Sequence, residues 1–211
     1  MNIEAYLLLK GSQSIQDEEY VTYINAPLDE EMRLNSALSN YMWEEADQIT
    51  KEHDGLINVS MPVIDIQTDC IRFVEKVCSL INDYVVGIYM NDVIYEPEFY
   101  LTMAKMIEQE LFPVYNIIWF GLYPSGDKIG AYTDGLETLG YHEIELSSMG
   151  EPMEIIEFLK DTANYVIAND VTFKDGETIG LTIEQVLKIS LGSSDVFDTD
   201  TFKIEDPFYE N

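Results

Sequence analysis

Apolar and polar positions along the chain alternate at two different periods, and the two sets mark different elements. Period two appears first at Ile3 to Leu9, where Ile3, Ala5, Leu7 and Leu9 share one face of a strand. It is cleanest after His53-Asp54-Gly55. There Ile57, Val59, Met61 and Val63 oppose Asn58, Ser60 and Pro62, and Pro62 argues for an edge or a bulge. Tyr84 to Met90 is short and nearly all apolar, as a fully buried strand would be. Tyr115 to Tyr123 is the most apolar run and reads as a central strand. Pro124-Ser125-Gly126-Asp127 turns the chain, and Lys128 to Thr133 returns antiparallel. His142 to Ser147 alternates again, with Ile144 and Leu146 inward and Glu143 and Glu145 outward. Lys174-Asp175-Gly176-Glu177 signals a hairpin turn, and Gln185 to Leu191 is a further strand with Leu187, Ile189 and Leu191 inward. Gly11 to Glu31 is polar and acidic, a loop with a short extended piece at Tyr20 to Ile24.

Helical spacing fills the intervals. Asp29 caps a helix whose first turn holds Glu30 and Glu31; Leu34, Leu38, Tyr41, Met42 and Ile49 continue it as a buried stripe to Lys51. Thr68 caps a second helix, with Ile71, Val74, Val77, Cys78 and Ile81 inward. Pro97 opens a third, striped by Tyr100, Met103, Ile107 and Leu111 and stopped at Pro113. Pro152 opens a fourth, with Ile155, Ile156, Leu159, Ala163, Val166 and Ile167 buried. Helices and strands are interspersed, yet one strand pair is a hairpin. This predicts an α+β fold: a mixed or antiparallel sheet with helices mainly on one side. The whole of 1–211 is expected to form one domain, with two ferredoxin-like halves, 1–112 and 113–192, as a variant. A doubly wound α/β sheet is the alternative. Residues 193–211 read as an acidic tail, or as a final strand near Phe202 to Ile204.

Composition adds a partner class. Among 211 residues, 40 acids face 11 bases, a formal charge of -29. Such a chain repels nucleic-acid phosphates and anionic lipid, and attracts basic proteins and divalent cations. The same acidity also serves solubility alone. Apolar residues at 46% and 14 tyrosines supply a core and argue against disorder. The two cysteines, Cys70 and Cys78, stand eight apart on one helix, about 12 Å between Cα atoms, too far for a disulfide. They read as core thiols of a reducing compartment. The N-terminus lacks the basic region and apolar length of a signal peptide, and no run approaches a membrane span. A cytoplasmic protein is expected.

Candidate chemistry gathers in Gly130 to Leu146, which holds three of the 12 glycines and one of the two histidines. Tyr132, Asp134, His142, Glu143 and Glu145 would flank a pocket at the sheet ends. His53, between Glu52 and Asp54, is the other histidine. Neither histidine has a metal-type spacing, and each is expected to be structural or on the surface. Glu143 and Glu145, about 7 Å apart along a strand, could act as acid and base, but more simply form the wet face of an edge strand. No glycine spacing matches a phosphate loop, and no serine sits in a nucleophile elbow. Asp195, Asp198 and Asp200 lack the glycine and distal glutamate of a calcium loop. No catalytic residue, metal or cofactor is expected.

The segment Ala131-Tyr132-Thr133-Asp134-Gly135-Leu136-Glu137-Thr138-Leu139-Gly140, followed by Glu143-Ile144-Glu145, resembles the C-terminal signature of the bacterial domain of unknown function family 4261. Phe158-Leu159, Tyr165-Val166 and Asp175-Gly176-Glu177-Thr178-Ile179-Gly180 extend the resemblance; His53-Asp54-Gly55 and Gly87-Ile88-Tyr89 also look like family features. This chain has His142 where a proline is common. The resemblance implies a shared fold and supplies no activity. The function expected is therefore a non-enzymatic acidic protein, immunity-like, inhibitor-like or regulatory, that engages a basic protein partner. The alternative is an enzyme or small-ligand protein with its pocket near Gly130 to Leu146. Neither reading fixes an oligomeric state.

Overall fold

The structure is a computed structural model that describes residues 1–11, 17–180, 182 and 185–208. Residues 12–16, inside the expected N-terminal loop, and the last three residues of the expected tail lie outside the described residues. The chain divides into two compact units, Met1–Ile117 and Ile118–Asn211.

Unit 1 is built on strands β1 (Asn2–Leu9), β2 (Val21–Ile24), β3 (Gly55–Pro62), β4 (Val85–Met90) and β5 (Val93–Tyr95). Their order is β2-β3-β1-β4-β5, antiparallel throughout. The first four strands follow the order of a ferredoxin-like sheet. The helices do not, because α1 (Glu30–Leu38) and α2 (Ala46–Thr50) follow β2 rather than precede it. The alternation in β1 and β3 is realised: Ile3, Ala5, Leu7, Ile57, Val59 and Met61 are buried. The opposite face is also covered, since Leu8, Leu56 and Ile94 form a cluster with Ala37, Trp43 and Ala46. Helix α3 (Ile66–Leu80) connects β3 to β4. Asp65, not Thr68, caps it, accepting from the Thr68 N–H at 2.8 Å. Cys70 is buried and Cys78 half-buried in α3; both are free, and burial pushes their thiols up to about 12 and about 11. Helix α4 (Pro97–Ala104) buries Tyr100, whereas Leu111, expected in the same stripe, is exposed.

The first helix departs most from its expected packing. It breaks between α1 and α2, and its stripe is inverted. Leu34, Leu38, Tyr41, Met42 and Ile49 are exposed, while Arg33, Ser36 and Ala37 are buried. Arg33 is the reason. Its guanidinium is 1% exposed and bonds Glu30, Asp47 (2.7 Å) and the Thr50 hydroxyl (3.1 Å). These bonds satisfy a buried cation and rotate the apolar stripe outward.

Unit 2 opens just after α5 (Val114–Ile117), a short turn of helix occupying part of the run expected as one strand. Strand β6 (Trp119–Ser125) then lies at a sheet edge, not at its centre. With β7 (Lys128–Asp134), β8 (Ile144–Ser148), β9 (Thr178–Ile179), β10 (Leu187–Ser193) and β11 (Asp200–Ile204) it forms a sheet ordered β6-β7-β8-β11-β10-β9. Every pairing is antiparallel except β8 with β11. Helix α6 (Pro152–Asn169) buries the residues its spacing indicated, Ile155, Ile156, Leu159, Ala163, Val166 and Ile167. The fold is α+β, with two mostly antiparallel sheets and, among the described residues, no doubly wound parallel one. The C-terminal segment, expected as a tail or as a final strand near Phe202 to Ile204, carries β11, an inner strand, and Leu191, expected inward, is exposed on β10. Among the described residues no helix is long and apolar enough to cross a membrane.

Candidate functional site

The candidate residues separate into four places. The first is a polar row across unit 2. Register pairs Tyr132 with Glu145 and Glu145 with Lys203, so alternation puts these three side chains on one face of β7, β8 and β11. Tyr123 joins them from β6. Two tyrosines lie over glycines here. Tyr132 pairs with Gly121 and Tyr123 with Gly130, and a Cβ at either glycine would meet the opposing ring at 2.1 or 2.2 Å. Only glycine permits rings to lie this close to the backbone.

Glu145 is 0% exposed, contrary to its expected place on a wet edge. Two structural facts bury it. Strand β11 covers the outer edge of β8, and the turn after β10 folds over the row, with Phe197 against the Tyr132 ring at 5.5 Å. The Glu145 carboxylate accepts from Lys203 Nζ (2.5 Å), Thr201 Oγ1 (3.0 Å), Ser194 Oγ and the Asp195 N–H. Burial alone would raise its pKa, but these donors outweigh burial and hold it below the usual range. Lys203 also bonds Asp195 at 2.9 Å, and the two carboxylates together keep its ammonium charged against the cost of burial. Donors and acceptors are matched within this cluster, so it has the character of a structural lock rather than a poised acid–base pair.

Glu143 is the second place and the second correction. It is 5% exposed and draws the loop after β7 around itself. Its Oε1 accepts from the Gly135 and Glu137 N–H groups, both at 2.8 Å. Its Oε2 accepts from Thr133 Oγ1 at 2.7 Å, and the same hydroxyl accepts from the Ile144 N–H. Burial raises its pKa to about 7 despite those three donors. Asp134 ends β7 nearby, opposite Trp119 across the β6–β7 pair.

His142 stands apart from both. It faces the Ile144 side as its spacing indicated, but it is exposed, with its ring edge-on to Phe202 at 5.2 Å. It borders a cavity of about 130 Å³ lined also by Tyr141, Ile144, Val166, Phe173 and Phe202. His53 belongs to unit 1 and is buried. Nε2 accepts from the Leu28 N–H at 2.7 Å, which fixes the tautomer, so Nδ1 donates to the Thr50 carbonyl at 2.8 Å. Burial lowers its pKa, and the ring is a neutral brace between the loop before α1 and the end of α2.

Sequence reasoning missed Lys203, Ser194, Thr201 and Tyr123, which complete the Glu145 cluster. The available signal was the apolar pair Phe202 and Ile204 flanking Lys203, an alternation that puts the lysine on the opposite face. A second open feature lies along α1. A groove of about 450 Å³ is lined by Asp29, Glu31, Met32, Asn35, Ser36, Ser39 and Asp92. Asp29 also caps α1 there, accepting from the Glu31 and Met32 N–H groups. Among the described residues no group of three or more His, Cys, Asp or Glu could hold a metal ion. Acidity is divided between the units, with 21 acids against 6 bases in unit 1 and 19 against 5 in unit 2.

Unit 2 is thus an antiparallel sheet with one parallel inner pair, backed by one long helix and locked by two buried glutamates. Residues 132–205 of it match the family described as Domain of unknown function (DUF4261), which covers the resemblance read from Tyr132 to Gly180, adds β10 and β11, and does not extend to Ala131, His53-Asp54-Gly55 or Gly87-Ile88-Tyr89. No curated protein and no solved structure gave a match to the chain.

Proposed function

We propose that the chain is a non-enzymatic interaction protein, of an immunity-like, inhibitor-like or regulatory kind, whose α1–α2 face engages a basic protein partner. One observation carries the reading. The stretch from α1 to α2 exposes Met32, Leu34, Leu38, Tyr41, Met42 and Ile49 among the exposed acids Glu31, Glu44 and Glu45. Six large exposed apolar side chains between Met32 and Ile49 are more than scattered singles, and exposed apolar surface rimmed by polar residues marks interaction sites. The acidic groove beside Met32 supplies carboxylates for a lysine or arginine, whose apolar stem would rest on the methionine. The titratable groups first considered for catalysis support this by their engagement elsewhere. Glu143, Glu145 and His53 are buried and bonded to their own fold.

The test is affinity capture across a salt series, with the wild type beside a Leu38→Lys, Met42→Lys double variant. Both side chains are exposed, so the variant keeps the fold. A basic protein held at low ionic strength, released as salt rises and lost from the variant, is the expected result. Retention that ignores the variant, or survives ~1 M salt where the Debye length is about 3 Å, refutes the reading.

A further inference from the structure

The small cavity of unit 2 lies where α6 ends against the sheet. Four of its walls are rings: Tyr141, His142, Phe173 and Phe202. They are arranged as a corner. His142 and Phe173 each stand almost perpendicular to Phe202, at 85° and 87°, with centroids 5.2 and 5.8 Å away. Ile144, Val166 and Val171 add aliphatic surface, and among the described residues no lysine or arginine lines the space. At about 130 Å³ it is close in size to an apolar cavity that admits a benzene-sized guest.

The electrostatics of the position select among such guests. Helix α6 is 18 residues long and has no basic residue in its last turn, so its partial negative charge there has no cationic side chain of its own against it. Asp170 caps that end in the left-handed region, at φ 50°, where glycine is the usual occupant. Its carboxylate accepts from the hydroxyl of Tyr141, one of the cavity walls, at 3.0 Å. Ring faces carry negative electrostatic potential that attracts a compact cation, and four rings border this space.

We propose that this cavity binds an alkylated ammonium group. The guest's methyl groups fill the aromatic corner, and its charge is held toward the α6 terminus, with the Asp170 carboxylate behind the Tyr141 wall. The site is independent of the α1–α2 face. Both a free quaternary ammonium compound and a trimethylated lysine side chain carry this chemistry.

The test is an NMR titration of the full chain, following amides of Gly140, Val171 and Phe202. The probes are choline, its neutral carbon isostere 3,3-dimethylbutanol, and a short peptide bearing trimethyl-lysine. Saturable shifts with choline or the peptide are expected, with the neutral isostere at least ~10-fold weaker. Whichever cationic probe binds more tightly identifies the source. The deciding variant is Asp170→Gly, which relieves the left-handed cap and so keeps or improves folding. It should weaken the cation ~3- to 10-fold and leave the isostere unchanged. The proposal is overturned if no cationic probe shifts these amides saturably, if the isostere binds as well as choline, or if Asp170→Gly leaves cation affinity untouched.

Discussion

Replacing Glu143 by glutamine should stabilise the protein at pH 8 and do so far less at pH 5. The reasoning starts from the site. Oε1 takes two backbone N–H groups and Oε2 meets the Thr133 hydroxyl, all in a buried position. A protonated Glu143 keeps both backbone bonds and donates from Oε2 to Thr133 Oγ1 in place of accepting. A glutamine does the same with its amide nitrogen. Burial raises the carboxyl from 4.5 to about 7, so the folded state holds this proton more tightly than the unfolded chain does. The stabilisation from the raised pKa is therefore complete below pH 4.5 and is lost as pH rises through 7. The difference is worth about 3 kcal/mol. The Glu143→Gln side chain cannot ionise and escapes that loss. Urea unfolding from pH 5 to 9 measures it, followed by tryptophan fluorescence in a Trp43→Phe background so that Trp119 alone reports unit 2. A variant less stable than wild type at pH 8, with the deficit shrinking toward pH 5, would show that the three donors prefer the carboxylate, and the argument from burial would fall.

Three further outcomes are expected. Gly121→Ala should cost about 1–3 kcal/mol by thermal melting, because its Cβ would lie 2.1 Å from the Tyr132 ring; Tyr132→Ala in the same chain should remove most of that coupling in a double-mutant cycle. Lys203→Met should cost about 3 kcal/mol, since Glu145 stays buried without its cation, and adding Glu145→Gln should recover part of the loss; equal costs for the single and double variants would refute the coupling. Tyr100→Phe should raise denaturant stability by about 1 kcal/mol, because the buried Tyr100 hydroxyl has no hydrogen-bond partner among the described residues, and a loss of stability would expose a bond to that oxygen.

What could be read in advance was periodicity backed by a continuous core. The alternation of Ile57, Val59 and Met61 and the wide stripe of α6 both came out buried as their spacing indicated. The fold class followed from them. Periodicity failed where burial is decided by charge pairing. Counting apolar residues along α1 put Leu34 and Leu38 inside, but Arg33 takes the core side because Glu30, Asp47 and Thr50 satisfy it from three points of the chain. It failed likewise at Glu143 and Glu145. Alternation places a glutamate opposite Ile144, and says nothing of a loop that wraps it or a lysine arriving from a distant strand. The site residues that could be named, Tyr132 and Glu145, do meet; their partners Lys203 and Ser194 required the sheet order.

The placement of β11 carries a consequence for how unit 2 is assembled in time. Strands β6, β7 and β8 can pair as soon as they exist, and β9 with β10 can do the same. Nothing joins the two groups into one sheet until Phe202 reaches Ile144 and Ile189 finds Ile204. Glu145 and Lys203, which lock that seam, are 58 positions apart, a long loop to close before the contact repays it. Until then β8 and β10 offer open backbone edges to any neighbouring strand. During synthesis those edges are the chain's point of exposure to chaperones and to mispairing, and the interval ends when the β11 segment is threaded between them.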